Sequence, residues 1–225
     1  MKREIRRCAA IAILVAMTSA GCERVGLSRV VGSGVAKSET RTVSEFSGVE
    51  VAGAFELQLT EGPLAPLELT ADDNILPLIE TIVVEQRLKI RTTQPIKPKV
   101  PVVIKATAPN IELIDSAGAS VIAVDGVTGA ALTLDATGAS TVTARGSIDR
   151  LDVSLTGAGE LNLLELAAKE VEVSITGAGD VEVKAVEKLS CSITGAGTVR
   201  YIGDPVVEKR VLGAGVVEKM KAAAP

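Results

Sequence analysis

The chain has 225 residues; 47% are hydrophobic, 23% charged and only 1% aromatic, with one Tyr, two Phe, no Trp and no His. Without His a Ser–His nucleophile cannot be built, and an interior so poor in aromatics must be filled by aliphatic side chains in many thin layers. A formal charge of −4, with no basic stripe or aromatic platform, argues against a nucleic-acid partner.

Lys2, Arg3, Arg6 and Arg7 precede an apolar run from Ala9 to Ala20, and Gly21 and Cys22 follow. A basic start, an apolar run of this length and small residues at its end make residues 1–21 a secretory signal peptide. The Cys directly after Ala-Gly resembles the lipobox of bacterial lipoproteins, in which the signal is cut before the Cys and its sulfur is acylated. Ser19 departs from the aliphatic residue usual at that position. The resemblance implies lipidation of Cys22 and an exported protein anchored in the bacterial envelope, at the outer membrane, facing either the periplasm or the surface.

Removing residues 1–21 leaves 20 Lys and Arg against 27 Asp and Glu, a net of −7. A domain this acidic is repelled by an anionic bilayer, so attachment should come from the lipid on Cys22. No apolar stretch reaches the roughly 18 residues that span a bilayer. Cys8 leaves with the signal and Cys22 carries lipid, so Cys191 has no disulfide partner. It reads as a small buried apolar residue.

Residues 22–37 contain Gly26, Gly32, Ser33 and Gly34 and read as a flexible tether. The folded domain is expected over 38–220, with 221–225 a frayed tail. Alternating segments at Thr40–Val43, Gly48–Leu59, Leu67–Leu69 and Arg87–Arg91 predict short strands. Between them Asp73-Asn74-Ile75-Leu76-Pro77 predicts one helical turn capped by Asp73 or Asn74. Pro95, Pro98 and Pro101 mark a loop, and Lys97 and Lys99 suit its solvated edge.

Beyond this loop six Gly-Ala-[Ser/Gly] triplets begin at Gly118, Gly138, Gly157, Gly177, Gly195 and Gly213, in steps of 20, 19, 20, 18 and 18 residues. Such a period is the signature of a solenoid. Apolar and polar residues alternate on both sides of each triplet, as in Val171-Glu172-Val173-Ser174-Ile175 and Val181-Glu182-Val183, which predicts strands with one buried and one wet face. Two strands meeting at a glycine corner every 19 residues or so describe one coil of a parallel β-helix, an all-β fold. Glycine suits the corner because it accepts positive φ and close backbone approach; Ala between the two small residues is read as the side chain that fits where coils stack. Gly53-Ala54 reads as an entry coil. The mixed inward Val, Ile, Leu and Ala, without an Asn ladder, set aside a leucine-rich repeat. The strands over 38–91 are expected to cap one end, and Lys209, Arg210, Glu218 and Lys219 to blunt the other.

The chain resembles the bacterial head GIN domain family, a family of unknown function whose auto-transporter adhesin label rests on analogy with larger surface β-helices. The resemblance rests on Arg41-Thr42-Val43-Ser44-Glu45-Phe46-Ser47-Gly48-Val49, Gly53-Ala54-Phe55-Glu56-Leu57, Asp73-Asn74-Ile75-Leu76-Pro77, the Gly-Ala-Gly corners and the segment from Gly195 to Pro205. It covers about residues 38–220 and implies a single-stranded right-handed β-helix, often with a lipoprotein signal. It implies no particular chemistry.

The residue after each triplet forms one column: Val121, Thr141, Glu160, Asp180, Thr198 and Val216. Glu160 and Asp180 are thereby expected in adjacent coils, as an acid/base pair, a weak calcium site or two solvated carboxylates. Calcium needs six to eight oxygens, and no repeated Asp motif supplies them. Thr137, Thr156, Thr176 and Thr194 are expected to form a hydroxyl ladder that satisfies polar groups at the corner. Asp152, Glu172 and Ser190, with Ser154, Ser174 and Ser192, form an outward polar face suited to a glycan or an envelope protein. The reading is a non-enzymatic, cofactor-free, adhesin-like or scaffolding module. The alternatives are a carbohydrate-active lyase or hydrolase and a structural spacer of the envelope.

Overall fold

The computed structural model describes residues 29–221; residues 1–28, where the signal peptide and the lipidated Cys22 are expected, and residues 222–225 lie outside it. The chain starts with β1 (Val30–Val31), β2 (Ala36–Arg41), β3 (Gly48–Gly53), β4 (Glu56–Glu61) and β5 (Ala65–Asp72). A 3-10 turn at Leu76–Leu78 leads to β6 (Ile79–Val84), β7 (Arg87–Thr92), β8 (Ile96–Lys97) and β9 (Val103–Ala108). The coils follow as β10 (Leu113–Gly118), β11 (Val121–Gly138), β12 (Thr141–Gly157), β13 (Glu160–Gly177) and β14 (Asp180–Gly195), closing with β15 (Thr198–Ile202), β16 (Val206–Gly213) and β17 (Val216–Lys219). There is no α-helix among the described residues.

From β10 onward every strand pairs in parallel with the coil before it and, except for the terminal β16 and β17, with the coil after it. This is the β-solenoid that the repeat predicts. Each of β11 to β14 runs from one glycine corner to the next through a second bend, so a coil is one bent strand rather than two separate ones. The corner glycines hold strict register: Gly53, Gly118, Gly138, Gly157, Gly177, Gly195 and Gly213 form one column. Slips of register fall at the second bend, after Val124, Thr143, Leu163 and Ala168. The variable period is therefore absorbed away from the corner.

Inward side chains stack in columns down the whole axis. One runs Leu69, Ile104, Leu57, Ile122, Val142, Leu161, Val181, Val199, Val217. Another runs Leu88, Val49, Ile114, Leu134, Val153, Val173, Cys191 and ends on Lys209. Nearly all of these residues are buried. Lys209 and Lys219 stand in the inward columns of the last coil, a charge at the open edge that discourages further stacking.

The corner explains why its first residue is glycine. The carbonyl of Gly157 accepts the Ala178 N–H at 2.8 Å, and a Cβ on Gly177 would lie 2.3 Å from that same oxygen, at φ +129°. The coil-to-coil hydrogen bond thus occupies the place of a side chain. The middle Ala does not fill the stack as expected: Ala119, Ala139, Ala158, Ala178, Ala196 and Ala214 are not buried, unlike the third residue of each triplet from Ser120 to Gly197. It is this third residue that points inward, and its size opposes that of the residue two before the corner. Phe55, Ser120 and Ser140 accompany Val51, Ser116 and Ala136, whereas Gly159, Gly179 and Gly197 accompany Leu155, Ile175 and Ile193. A Cβ on Gly179 would meet Leu155 Cδ2 at 2.4 Å, and one on Gly197 would meet Ile175 Cγ2 at 2.7 Å. Buried Ser140 instead shares a hydrogen bond of 2.8 Å with Ser116 one coil below. A large residue before one corner thus takes the space that a side chain would need after the next corner, as close packing requires.

The first eighty described residues are wound out of chain order. β3 and β4 make an inner coil, to which β7 and β9 add one more layer in parallel. Antiparallel β6 pairs with β7, and β5 pairs with β9 and with β2. The chain then passes back over this coil so that β10 joins β3 and β11 joins β4. These antiparallel strands form the expected cap.

Two expectations for this region are corrected. The tether over 22–37 is built into the fold from Val30, because Val30 and Val31 pair with Ile96 and Lys97 and β2 already begins at Ala36. The 3-10 turn has Ile75 at its N-cap with no side-chain cap. Asp73 and Asn74 are spent on the incoming segment instead: Ser33 Oγ donates to Asp73 at 2.5 Å, and Asn74 exchanges hydrogen bonds of 2.9 Å with Ser33 N and the Val31 carbonyl.

Candidate binding face

The strands before each corner present three outward columns. One reads Lys89, Glu50, Asp115, Asp135, Ser154, Ser174, Ser192, Arg210. Beside it Thr137, Thr156, Thr176 and Thr194 lie in register, and on the other side Thr133, Asp152, Glu172 and Ser190. Neighbours in a column stand about 4.8 Å apart and alternate residues along a strand about 6.8 Å. The middle coils therefore carry a flat two-dimensional array of hydroxyls, ordered by backbone register.

The Thr column does not act as the expected ladder. Among the described residues, the hydroxyls of Thr156, Thr176 and Thr194, and of Ser154, Ser174 and Ser192, make no hydrogen bond within the chain and all six residues are exposed. Backbone bonds satisfy the corner without them. On the strands after the corner, outward groups are engaged with each other: Arg200 reaches Glu218 at 2.9 Å and Glu182 at 3.4 Å.

One ionic cluster borders the array. Arg150 donates to both carboxylate oxygens of Asp152, at 2.8 and 3.0 Å, and to Glu172 at 2.8 Å. The bond to Asp152 chiefly holds its guanidinium above the ordinary value. Thr133, Asp135, Arg150, Asp152, Ser154 and Glu172 line a shallow hollow here. At the head-ward end Asp115 lies between Glu50 and Asp135. Burial, then the charges of Asp135 and Glu50, push its carboxyl up, while Arg87 and Lys89 pull it back. Sequence reading missed this acidic column; carboxylates at 115 and 135, one period apart, carry the signal for it.

Glu160 and Asp180 are register partners, and the full column from Val121 to Val216 is aligned as predicted. Among the described residues no third His, Cys, Asp or Glu joins them in a group that could hold a metal. Two carboxylates offer at most four oxygens, fewer than calcium takes. Cys191 stacks on Val173 in the interior and is 2% exposed. Burial pushes its thiol up to about 11, so it stays protonated and unreactive at neutral pH. No helix among the described residues is long and apolar enough to cross a membrane.

Fold and face together define a β-solenoid that offers a regular polar surface. A sequence profile described as "Putative auto-transporter adhesin, head GIN domain" matches residues 45–205, and the chain belongs to this family. No curated protein matches it. Among solved structures it is similar to an adhesin of Bacteroides fragilis, so described provisionally, at 21% identity and a TM-score of 0.61, covering 85% of this chain and 100% of that one. A protein of Parabacteroides merdae with the same description is similar at 20% identity and a TM-score of 0.54, covering 86% and 99%. A Parabacteroides distasonis protein described provisionally as lipid-binding is similar at 19% identity and a TM-score of 0.54, covering 86% and 100%. At these identities the likeness is one of fold.

Proposed function

We propose that the protein is an exported, non-enzymatic, adhesin-like binding module, anchored through a lipid on Cys22, that engages a glycan or envelope protein through the Ser/Thr face. The observation that carries this reading is the set of six exposed hydroxyls in two adjacent columns, none of them used by the chain itself. Free hydroxyls at fixed spacing offer donors and acceptors to a ligand with its own repeat, and a rigid scaffold keeps the ordering cost of binding low.

Immobilised protein, challenged with envelope polysaccharide and envelope protein fractions, is expected to retain a ligand. Ser174→Arg with Thr176→Arg should abolish retention, while Asn162→Arg on the other sheet should not. Retention of nothing, or retention indifferent to the face variants, overturns the reading in favour of a spacer. Depolymerisation of a retained glycan that is lost in Glu160→Gln or Asp180→Asn would move the protein to the carbohydrate-active class.

A further inference from the structure

The charge is spread unevenly along the stack. Residues 29–108 hold nine Lys and Arg against ten Asp and Glu, whereas residues 109–221 hold ten against sixteen. The acidity belongs to the coils, and the end where the chain enters is nearly neutral. At that end β1 and β8 form a small ribbon, with Val31 opposite Lys97. Val31 and Val35 are 52% and 59% exposed, and Arg29, Lys37, Lys97 and Lys99 are exposed around them.

The ribbon is firmly held. Buried Asp72 accepts the backbone N–H of Gly34 at 2.6 Å, of Lys99 at 2.9 Å and of Val100 at 3.1 Å, tying both arms to the cap. Its charge is thereby turned inward. Asp73 is taken by Ser33, and Glu39 by Arg41 at 2.5 Å. Among the described residues Arg29, Lys37 and Lys97 face no carboxylate within salt-bridge distance, and the Lys99 ammonium reaches only the Ser33 carbonyl, at 3.4 Å. Four cations and two exposed valines thus share one end, where Asp72 is buried and Glu39 is paired with Arg41.

We propose that this end face docks on the anionic phospholipid headgroups of the bilayer that holds the Cys22 lipid, so that the solenoid stands upright with its acidic coils away from the membrane. The proposal rests on the anchoring reading above. Cys22 lies seven residues before Arg29, a reach of at most about 25 Å when fully extended. Ten strands stacked from β2 to β17 put the last coil roughly 40 Å from the cap at the usual strand spacing. The short link keeps the basic end near the headgroups, and repulsion of the coils disfavours lying flat. The valines add apolar contact at the interface, as in surface-bound segments.

The chain has no Trp, so Val35→Trp and Val206→Trp report on the two ends separately, Val206 being 69% exposed in the last coil. Mass spectrometry of the membrane-purified protein first decides whether Cys22 is acylated. If it is not, the anchoring reading fails, and docking is still tested by coupling the Cys22 thiol to a maleimide headgroup lipid. Vesicles of phosphatidylcholine with or without phosphatidylglycerol carry a dansyl headgroup acceptor. On the phosphatidylglycerol vesicles, energy transfer from the indole of the Val35→Trp variant is expected to exceed that from the Val206→Trp variant several-fold. The Val35→Trp signal should fall when phosphatidylglycerol is omitted, when Lys37, Lys97 and Lys99 are replaced by Glu, or when salt is raised on the otherwise unsubstituted surface. Equal transfer in both variants, or a Val35→Trp signal indifferent to lipid charge and salt, would overturn the proposal.

Discussion

The head (residues 30–108) and the coils (residues 113–219) solve the same packing problem in different ways. In the coils each layer touches only the layers before and after it, and one corner is repeated in register. In the head, β9 slots between β4 and β5, the chain's two Phe residues fill the interior, and a buried carboxylate ties two loops together. Repetition makes the coils regular and leaves their outer surface free. The head gives up regularity to close an edge that would otherwise recruit further strands.

The sharpest way to break the coils is at a corner. Gly177→Ala sets a Cβ 2.3 Å from the Gly157 oxygen and should cost about 3 kcal/mol or more, or prevent folding. Gly126→Ala, whose Cβ would come no nearer than 3.8 Å to the Glu61 oxygen, should cost about 1 kcal/mol from its positive φ alone. Denaturant titration compares the two. Equal losses would mean that conformational preference, not the occupied hydrogen-bond site, selects glycine.

Next comes the shared corner volume. Leu155→Ala should destabilise by about 2–5 kcal/mol. Gly179→Ser should be severe alone and much milder in the Leu155→Ala background, with a coupling of about 1 kcal/mol or more. Additive losses in the double-mutant cycle would remove the size-exchange argument.

The head is sharpened by its own staple. Asp72→Ala should expose residues 29–41 to limited proteolysis while the coils stay intact. Burial works to raise the Asp72 carboxyl, but the N–H donors of Val100, Gly34 and Lys99 outweigh it and leave it below its ordinary value. Its contribution is therefore complete above the unfolded carboxyl value and fades as pH falls through the lower folded one. Cleavage in the parent should follow the same acid dependence and be absent at neutral pH.

The smallest effect belongs to Asp115, whose carboxyl is pushed up. Its ionised form is disfavoured in the folded protein, so Asp115→Asn should raise Tm at neutral pH. The gain is of order a few tenths of a kcal/mol after solvent screening and should vanish in acid, where the parent residue is protonated too.

The same contrast decides what could be read from the sequence. Period, corner glycines, inward columns and the Glu160–Asp180 register were legible because each coil restates them. Cys191 could be placed for the same reason, by matching Val153 and Val173. The inward direction of the third corner residue was hidden, because Ala, Ser and Gly are too alike in size to show which one packs. The trade against Leu155 and Ile175 was the clue. In the head nothing repeats, so the crossing of β9 and β10 and the double duty of Asn74 depend on pairs far apart in the chain, Asn74 and its partners being 41 and 43 residues apart. Lone hydroxyls gave no sign of whether they would bond to each other.

In-register stacking can be tested by paired cysteines in a Cys22→Ser background, with Cys191 buried and silent. Thr156→Cys with Thr176→Cys places two thiols on adjacent coils, about 4.8 Å apart at the backbone, within the span of a disulfide. Thr156→Cys with Thr194→Cys doubles that separation. Mild oxidation should cross-link the first pair rapidly and leave the second reduced; a bond in the second pair, or none in the first, would contradict the stack.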